Sequence, residues 1–327
     1  MRSGMKVAGA ASVAVLVLSG CGAGDSAGRS PGTGNGFPTT VQNCGHRVQI
    51  ERKPERVVAL GPSEVTSLYS AGAAGKLVGR DDAGMKSAPY TSEIRSAVRK
   101  VPQLGSGGEL TRENLIAMQP DLVVGSVSES ITPESLEAVG IPMLSLRGNC
   151  GSNHAPGASD GTADFADVFS DLRLYGRLLG TEPQASAAAG SMRERIERAT
   201  STAPLRGKTA AAVIVFDNSL EAYGRRSMAH TQLAALGAKD VFGNADSRVF
   251  EANMEEIAAR NPDVLMILSY SDTAEAARKK FLALPGASNL AAARNNALFV
   301  QPYEYSSQGT LSVNGLENMA RNMPRQH

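Results

Sequence analysis

An α/β fold of two Rossmann-like lobes, each built on a parallel sheet and joined by a single long α-helix, is what this 327-residue sequence predicts. Three observations predict it. Residues 113–125 (ENLIAMQPDLVVG) and 255–267 (EEIAARNPDVLMI) are near-repeats: a Glu, a short helical stretch, Pro-Asp, then an apolar run. Upstream of each lies a second echo, LYSAGAAGKLVG at 68–79 and LAALGAKDVFG at 233–243. Two echoes at similar offsets imply two copies of one βα unit, hence two lobes. Between the copies, residues 182–200 run without an internal break except Gly190, with Arg193, Glu194, Glu197 and Arg198 charged along one side. That is the joining helix. A bilobed chain has a cleft, and clefts between lobes bind small ligands.

The elements follow in order. Arg2 and Lys6 precede a small-apolar stretch over 7–19 that is too short to span a bilayer. It ends in Leu18-Ser19-Gly20-Cys21, small residues before a cysteine, as in a bacterial lipobox; Cys21 becomes the lipidated first residue of an anchored protein. Residues 22–40 hold six glycines and two prolines and little that is apolar, so a flexible spacer is expected over 21–42 after a signal peptide at 1–20.

The first lobe is expected over 43–180. Residues 56–60 form an apolar strand, Ser63 is a candidate N-cap of the next helix, and Gly72 lies just past that helix. Residues 76–79 read as a second strand. Thr111 caps a helix that Pro120 ends, and 121–125 is a buried strand. A helix over 131–139, a strand over 141–146, a loop over 149–162 and a helix over 164–179 complete the lobe. The connecting helix is assigned to 181–202 and the second lobe to 203–327. That lobe repeats the pattern, with strands at 209–216, 263–269 and 297–301 and helices near 231–236, 253–260, 274–283, 286–293 and 312–322. Strands alternating with helices of about ten residues predict parallel sheets covered by helices.

Composition excludes several partners. Without Arg2 and Lys6, 31 basic residues face 32 acidic ones, a net charge of −1, and no basic stripe invites nucleic acid. Trp is absent, which excludes a carbohydrate site of stacked indoles. With Cys21 lipidated, Cys44 and Cys150 remain; in an exported chain they most simply pair, two free thiols or a metal pair being the alternatives. Neither lies in a CxxC or beside clustered histidines.

Lipobox, spacer, two α/β lobes and one helical connection resemble the substrate-binding lipoproteins of ABC importers, specifically the group that handles ferric siderophores, haem and cobalamin. PERVVALGPSEVTSLYSAGAAGKLVGRDD (54–82) is similar to that group's first strand, helix and strand, and ENLIAMQPDLVVG to its E-x-I-x-A-x-x-P-D-L segment. The Asn43-Cys44-Gly45 triplet resembles that of actinobacterial iron-siderophore members with a first-lobe disulfide. YGRRSMAHTQLAALGA (223–238) resembles a siderophore-member segment with an Arg five residues before a His, here Arg225 and His230. The resemblance implies a monomeric, non-catalytic receptor without a resident cofactor on the extracytoplasmic face of a Gram-positive actinobacterial membrane. Its ligand would be an iron(III)-siderophore, its partners an ABC permease with its ATPase. It also implies that Glu113 and Glu255, the first residues of the repeat copies, pair with permease arginines. The Arg that precedes the docking-Glu helix in hydroxamate binders has no match; Ser106-Gly107-Gly108 stands there.

Ligand contacts are expected at the carboxyl ends of strands. The candidates are Ser63, Arg80, Tyr223, Arg225, Arg226, Tyr303 and Tyr305, the arginines supplying planar charge-assisted donors for a polar or anionic chelate. Cobalamin or haem in the same type of importer is the alternative ligand. A bare divalent metal would need about three His and a carboxylate, and only His46, His154 and His230 stand in the folded region, unclustered. For a hydrolase, Gly61-Pro62-Ser63-Glu64-Val65 lacks the second glycine of a nucleophile elbow, and there is no HExxH or P-loop.

Overall fold

The computed structural model describes residues 36–81, 89–104, 110–126, 128, 131–150, 162–217, 219–270 and 273–323. Cys21, Ser106-Gly107-Gly108 and His154 lie outside the described residues.

A hairpin of β1 (Thr39–Asn43) and β2 (His46–Ile50) opens the chain. The first lobe runs β3 (Val57–Leu60), α1 (Pro62–Ser70), β4 (Leu77–Arg80), α2 (Ser92–Val98), α3 (Arg112–Ala117), β5 (Leu122–Gly125), α4 (Pro133–Glu137), β6 (Met143–Leu144) and α5 (Phe165–Leu179). The connecting helix α6 is Glu182–Thr200. The second lobe runs β7 (Thr209–Val215), β8 (Leu220–Tyr223), α7 (Met228–Ala235), β9 (Lys239–Asp240), β10 (Val249–Ala252), α8 (Met254–Arg260), β11 (Val264–Ser269), α9 (Ala274–Leu282), α10 (Ala291–Arg294), β12 (Leu298–Pro302) and α11 (Leu311–Asn322).

The repeat in the sequence is a repeat in space. The first sheet has the order β4-β3-β5-β6, all parallel. The second contains β9-β7-β11-β12 with the same order and sense. In each lobe the helix of the repeat ends on a non-glycine residue at positive φ, Gln119 (+48°) and Asn261 (+40°). Pro then blocks further helix, and the following Asp caps the neighbouring strand. The Asp121 carboxylate accepts from the Glu55 and Arg56 N–H groups ahead of β3; Asp263 accepts from the N–H and hydroxyl of Thr209 at the start of β7. Pro-Asp therefore fixes register between the two central strands of each sheet.

Three expectations are corrected. The spacer was expected to reach residue 42, yet β1 begins at Thr39. Alternation of Thr, Val and Asn there suits a half-buried strand, and β2 buries Val48 and Ile50 beneath it. The second sheet is mixed rather than purely parallel: β8 pairs antiparallel with the distal half of β7, β10 antiparallel with β8, and β9 takes the proximal half of the same β7 edge. The expected helix at 286–293 is broken into a 3-10 turn, Ala287–Asn289, and α10, with Leu290 extended between them.

Sheet faces divide the core. Val57 and Ala59 of β3 and Leu122 and Val124 of β5 join a large cluster continuous with the second lobe. Val58 and Val123 point the other way, into a smaller cluster with Leu115, Ile131 and Leu136. The connecting helix packs on both lobes. Ala185 meets α5 at Gly176, where a Cβ would come within 2.8 Å of the Ala185 Cβ. On the other side, Arg195 grips Glu317 of α11 through Nε at 3.0 Å and Nη2 at 2.8 Å, and Nη2 reaches Asn314.

The cysteines pair. Cys44, in the β1–β2 turn, is disulfide-bonded to Cys150, closing a separation of 106 residues. The chain-entropy model assigns such a loop about 4–5 kcal/mol. Beside it the Asn43 amide imitates a strand, donating to the Ser145 carbonyl and accepting from its N–H, both at 2.8 Å.

Candidate functional site

The parallel strands of both sheets end on one side of each lobe, and side chains from these ends converge. Phe216 follows β7, Tyr270 follows β11 and Tyr303 follows β12. The Tyr270 and Tyr303 rings lie 4.3 Å apart between centroids, and Phe216 lies 6.2 Å from Tyr270. Phe216 and Tyr270 are among the exposed large apolar side chains, 38% and 37% exposed. An exposed aromatic pair at the mouth of strand ends is apolar surface available to a ligand rather than core. A pocket of about 120 Å³ adjoins it, lined by Phe216, Ser269, Tyr270 and Lys280. A larger groove of about 340 Å³ lies elsewhere, between β2 and α4 at the amino end of β6, away from these rings.

The antiparallel β8–β10 hairpin adds two more groups. Tyr223, at the end of β8, is buried, and its hydroxyl is pushed up by burial and by Tyr303 and Tyr270. Tyr270 is likewise raised, first by burial and then by Tyr303, while Arg248 works in the opposite sense. Arg248 precedes β10. Its Nη1 donates to the amide oxygens of Asn149, from the first lobe, and Gln308, both at 3.3 Å. These partners are long and neutral, and no carboxylate among the described residues balances the guanidinium. An anionic or oxygen-rich ligand would find there a charged donor held between the lobes.

The sequence-predicted residues divide. Tyr223 and Tyr303 belong to this cluster. Arg80 ends β4, at the corresponding rim of the first lobe. Ser63 is not an N-cap: the helix begins at Pro62 with Gly61 as cap at φ +134°, and Ser63 is buried in the first turn with its carbonyl accepting from Thr66 and Ser67. Proline at the first helical position moves the start one residue upstream. Arg225 and Arg226 are both engaged by Asp246. Arg226 makes a bidentate pair at 2.7 and 2.8 Å, and Arg225 also contacts the Asp246 carboxylate. The pairs tie the turn after β8 to the turn before β10 and hold the Asp246 carboxyl below its usual range. Tyr305 makes no ring contact with Tyr270 or Tyr303 among the described residues; burial raises its hydroxyl, with Arg321 and Arg195 opposing and Glu317 adding to the rise. In the 3-10 turn Tyr303–Ser306 three residues make one revolution, so 303 and 305 point in different directions.

Arg248, Tyr270 and Phe216 were missed by sequence reasoning. Tyr270 and Phe216 had a signal, each directly following a buried apolar strand. Arg248 had none, because its placement depends on an antiparallel hairpin outside the repeat.

Glu113 and Glu255 are exposed and occupy the same slot, the second residue of α3 and of α8, after the caps Thr111 and Asn253. The other ends of these helices lead to Asp121 and Asp263 at the amino ends of the sheets, so both glutamates point towards the carboxyl side of their lobes.

The histidines stand apart. His230 Nδ1 lies 2.8 Å from the buried Asp240, and His46 lies 3.5 Å from Glu134. Among the described residues no group of three or more His, Cys, Asp or Glu could hold a metal ion.

The family model described as "Periplasmic binding protein" matches residues 57–305. A crystal structure of an ABC-type Fe3+-hydroxamate transport system from Saccharomonospora viridis superimposes with a TM-score of 0.76 at 32% identity, covering 88% of this chain and 99% of that one. An uncharacterized ABC transporter substrate-binding lipoprotein of Bacillus subtilis is 23% identical over 95% of this chain and 94% of its own length. A cobalamin-binding protein of Halobacterium salinarum is 23% identical over 76% of this chain and 63% of its own length.

Proposed function

The chain belongs to the periplasmic binding protein family, whose members are transport receptors and not enzymes, and on that premise we propose that it captures an iron(III)-siderophore between its lobes and hands it to an ABC permease with its ATPase. The observation that carries this is the Tyr223–Tyr270–Tyr303 cluster beside Arg248, whose guanidinium no described carboxylate neutralises. Aromatic faces cover a bulky chelate, and the arginine meets its oxygen ligands. The relative named for Fe3+-hydroxamate transport supports a hydroxamate chelate. The relative named for cobalamin supports the second reading, cobalamin in the same cleft.

The test is a binding screen of the purified protein against ferric siderophores, haem and cobalamin. Tyrosine fluorescence serves as the signal because Trp is absent. Saturable binding of a ferric siderophore alone is expected. Arg248→Ala should weaken it by about ten- to a hundred-fold, the loss of one charge-assisted bond of about 1.5–3 kcal/mol. Arg225→Ala should change it much less, because Asp246 already holds that side chain. The reverse ranking would return the site to the Arg225-Arg226 turn.

Cys21 is proposed to carry the lipid that holds the protein on the outer face of the cell membrane of an actinobacterium; the lipoprotein relative supports the anchor. Cys21→Ala should release the protein into the medium; retention in the membrane fraction would refute the anchor. Glu113 and Glu255 are proposed as the permease-docking pair.

A further inference from the structure

The pocket beside the aromatic rings has a lining that nothing above uses. It lies where the adjacent parallel strands β7 and β11 end, with α9 on one side. Ile214 and Ile267 of the strands and Ala277 of the helix, all buried, line it from the inside. The exposed rings of Phe216 and Tyr270 line it towards solvent. Tyr270 also stacks on Tyr303 at 4.3 Å between centroids, so one ring belongs both to this pocket and to the proposed cleft.

The charge in the lining comes from Lys280. Its ammonium marks the outer end of the pocket, because it pairs at 3.0 Å with Asp217, the residue after Phe216, on a side chain that is 92% exposed. So exposed an ion pair contributes little, and the ammonium can turn to another anionic oxygen at small cost. The pocket volume of about 120 Å³ suits one ring and not two; a cavity of about 150 Å³ lined by aliphatic and aromatic side chains takes up benzene.

Resting on the siderophore reading, we propose that this pocket is an aryl subsite, so that the chelate taken by this cleft carries an aromatic ring next to its iron-binding oxygens. The ring enters between α9 and the strand ends, against Phe216 and Tyr270. The oxygens stay with the iron at the outer end, near Lys280. A rigid ring brings large apolar faces with few rotors to immobilise. A chelate with short alkyl arms leaves the pocket to water and forfeits that burial.

The probes are ferric tris(benzohydroxamate) and ferric tris(acetohydroxamate), which share donor atoms and charge and differ by phenyl against methyl. Each is titrated at pH 7 with the iron-free hydroxamate as blank. The wild-type protein should bind the phenyl complex at least tenfold tighter, as burial of a ring requires. Ala277→Leu fills the pocket from α9 and should bring that ratio close to one while leaving the methyl complex within about twofold. Phe216→Ala, at an exposed position, should lower the ratio without touching the core. Lys280→Gln should weaken both complexes alike and keep the ratio, since the oxygens are common to both. A wild-type ratio near one overturns the inference without any variant, as do pocket variants that keep the wild-type ratio. Unchanged affinities in Lys280→Gln overturn the orientation of the ring. If neither probe binds but another ferric siderophore does, the siderophore reading stands and the inference falls. If no ferric siderophore binds, both fall.

Discussion

Raising the pH from 5 to 9 should destabilise the protein, and neutralising two acids should abolish most of that loss. Glu64, in the first turn of α1, and Asp171, in α5, are both buried, and burial pushes each carboxyl up to about 8. The Asp171 carboxylate accepts from the Arg147 N–H at 3.0 Å, while the Arg147 Nε stands 3.7 Å away on a side chain that is 41% exposed. That ion pair is too long and too wet to offset the desolvation, so the upward direction is the physical one. Asp171 Oδ1 and the Tyr175 hydroxyl, beside it, also lack partners, which suits a neutral acid better than a carboxylate.

The sign follows from linkage. Between roughly pH 4 and pH 8 the folded chain holds protons on these acids that the unfolded chain has released, so stability falls as pH rises through that window and levels off above it. Raising a carboxyl this far corresponds to about 5–6 kcal/mol for one group, of which about 4 falls between pH 5 and pH 9. The two acids interact, so their effects do not add. Differential scanning fluorimetry should show Tm dropping by about 10 °C between pH 5 and pH 9. Glu64→Gln and Asp171→Asn should each flatten the profile and raise Tm at pH 9, since the amides keep the shape and an acceptor. A Tm that is flat or rising over this range, or variants that leave the slope untouched, would show that these carboxyls ionise normally.

Charge reversal at the two repeat glutamates should separate transport from binding. Glu113 and Glu255 are exposed, capped into equivalent helix positions, and distant in role from the aromatic cluster. A first-turn Glu contributes only about 0.3–1 kcal/mol to its helix, so Glu113→Lys and Glu255→Lys should fold. Siderophore affinity should stay within about twofold of wild type, a difference of about 0.4 kcal/mol. Uptake should fall at least tenfold, because lysine would face the permease arginines and like charges at an interface cost several kcal/mol. The double reversal should be worse than either single one. The measurement is siderophore-dependent growth on limiting iron, paired with binding to purified protein. Normal binding with normal growth would make these residues helix-starting acids and nothing more.

Much of the fold is legible in the sequence because its signals are local. The long helix at Glu182–Thr200 begins and ends where an uninterrupted run begins and ends. The Pro-Asp copies carry a mechanism in adjacent residues: a left-handed residue, a helix stop, and a carboxylate that caps the neighbouring strand of the sheet. Gly72 and Gly237 repeat as well, at φ +80° and +89°, a backbone that glycine adopts freely. The β8–β10 hairpin was not legible. Its strands are four residues each and lie 25 residues apart, with a helix and β9 between them.

Sequence by itself pointed to the doubled βα unit and the family, and made Cys44 and Cys150 the simplest pair, all of which rest on neighbouring residues or on counting. Tertiary structure alone decided which arginines have a carboxylate partner. Arg225 and Arg226 looked the better pair, adjacent to each other and to Tyr223, yet Asp246, twenty residues beyond Arg226, folds back onto both. Arg248, which no motif marks, is left with two neutral amides, one from each lobe. The charge of an arginine is written in the chain, but its availability depends on which carboxylate the fold brings within 3 Å of it, and that is a property of contacts between distant segments.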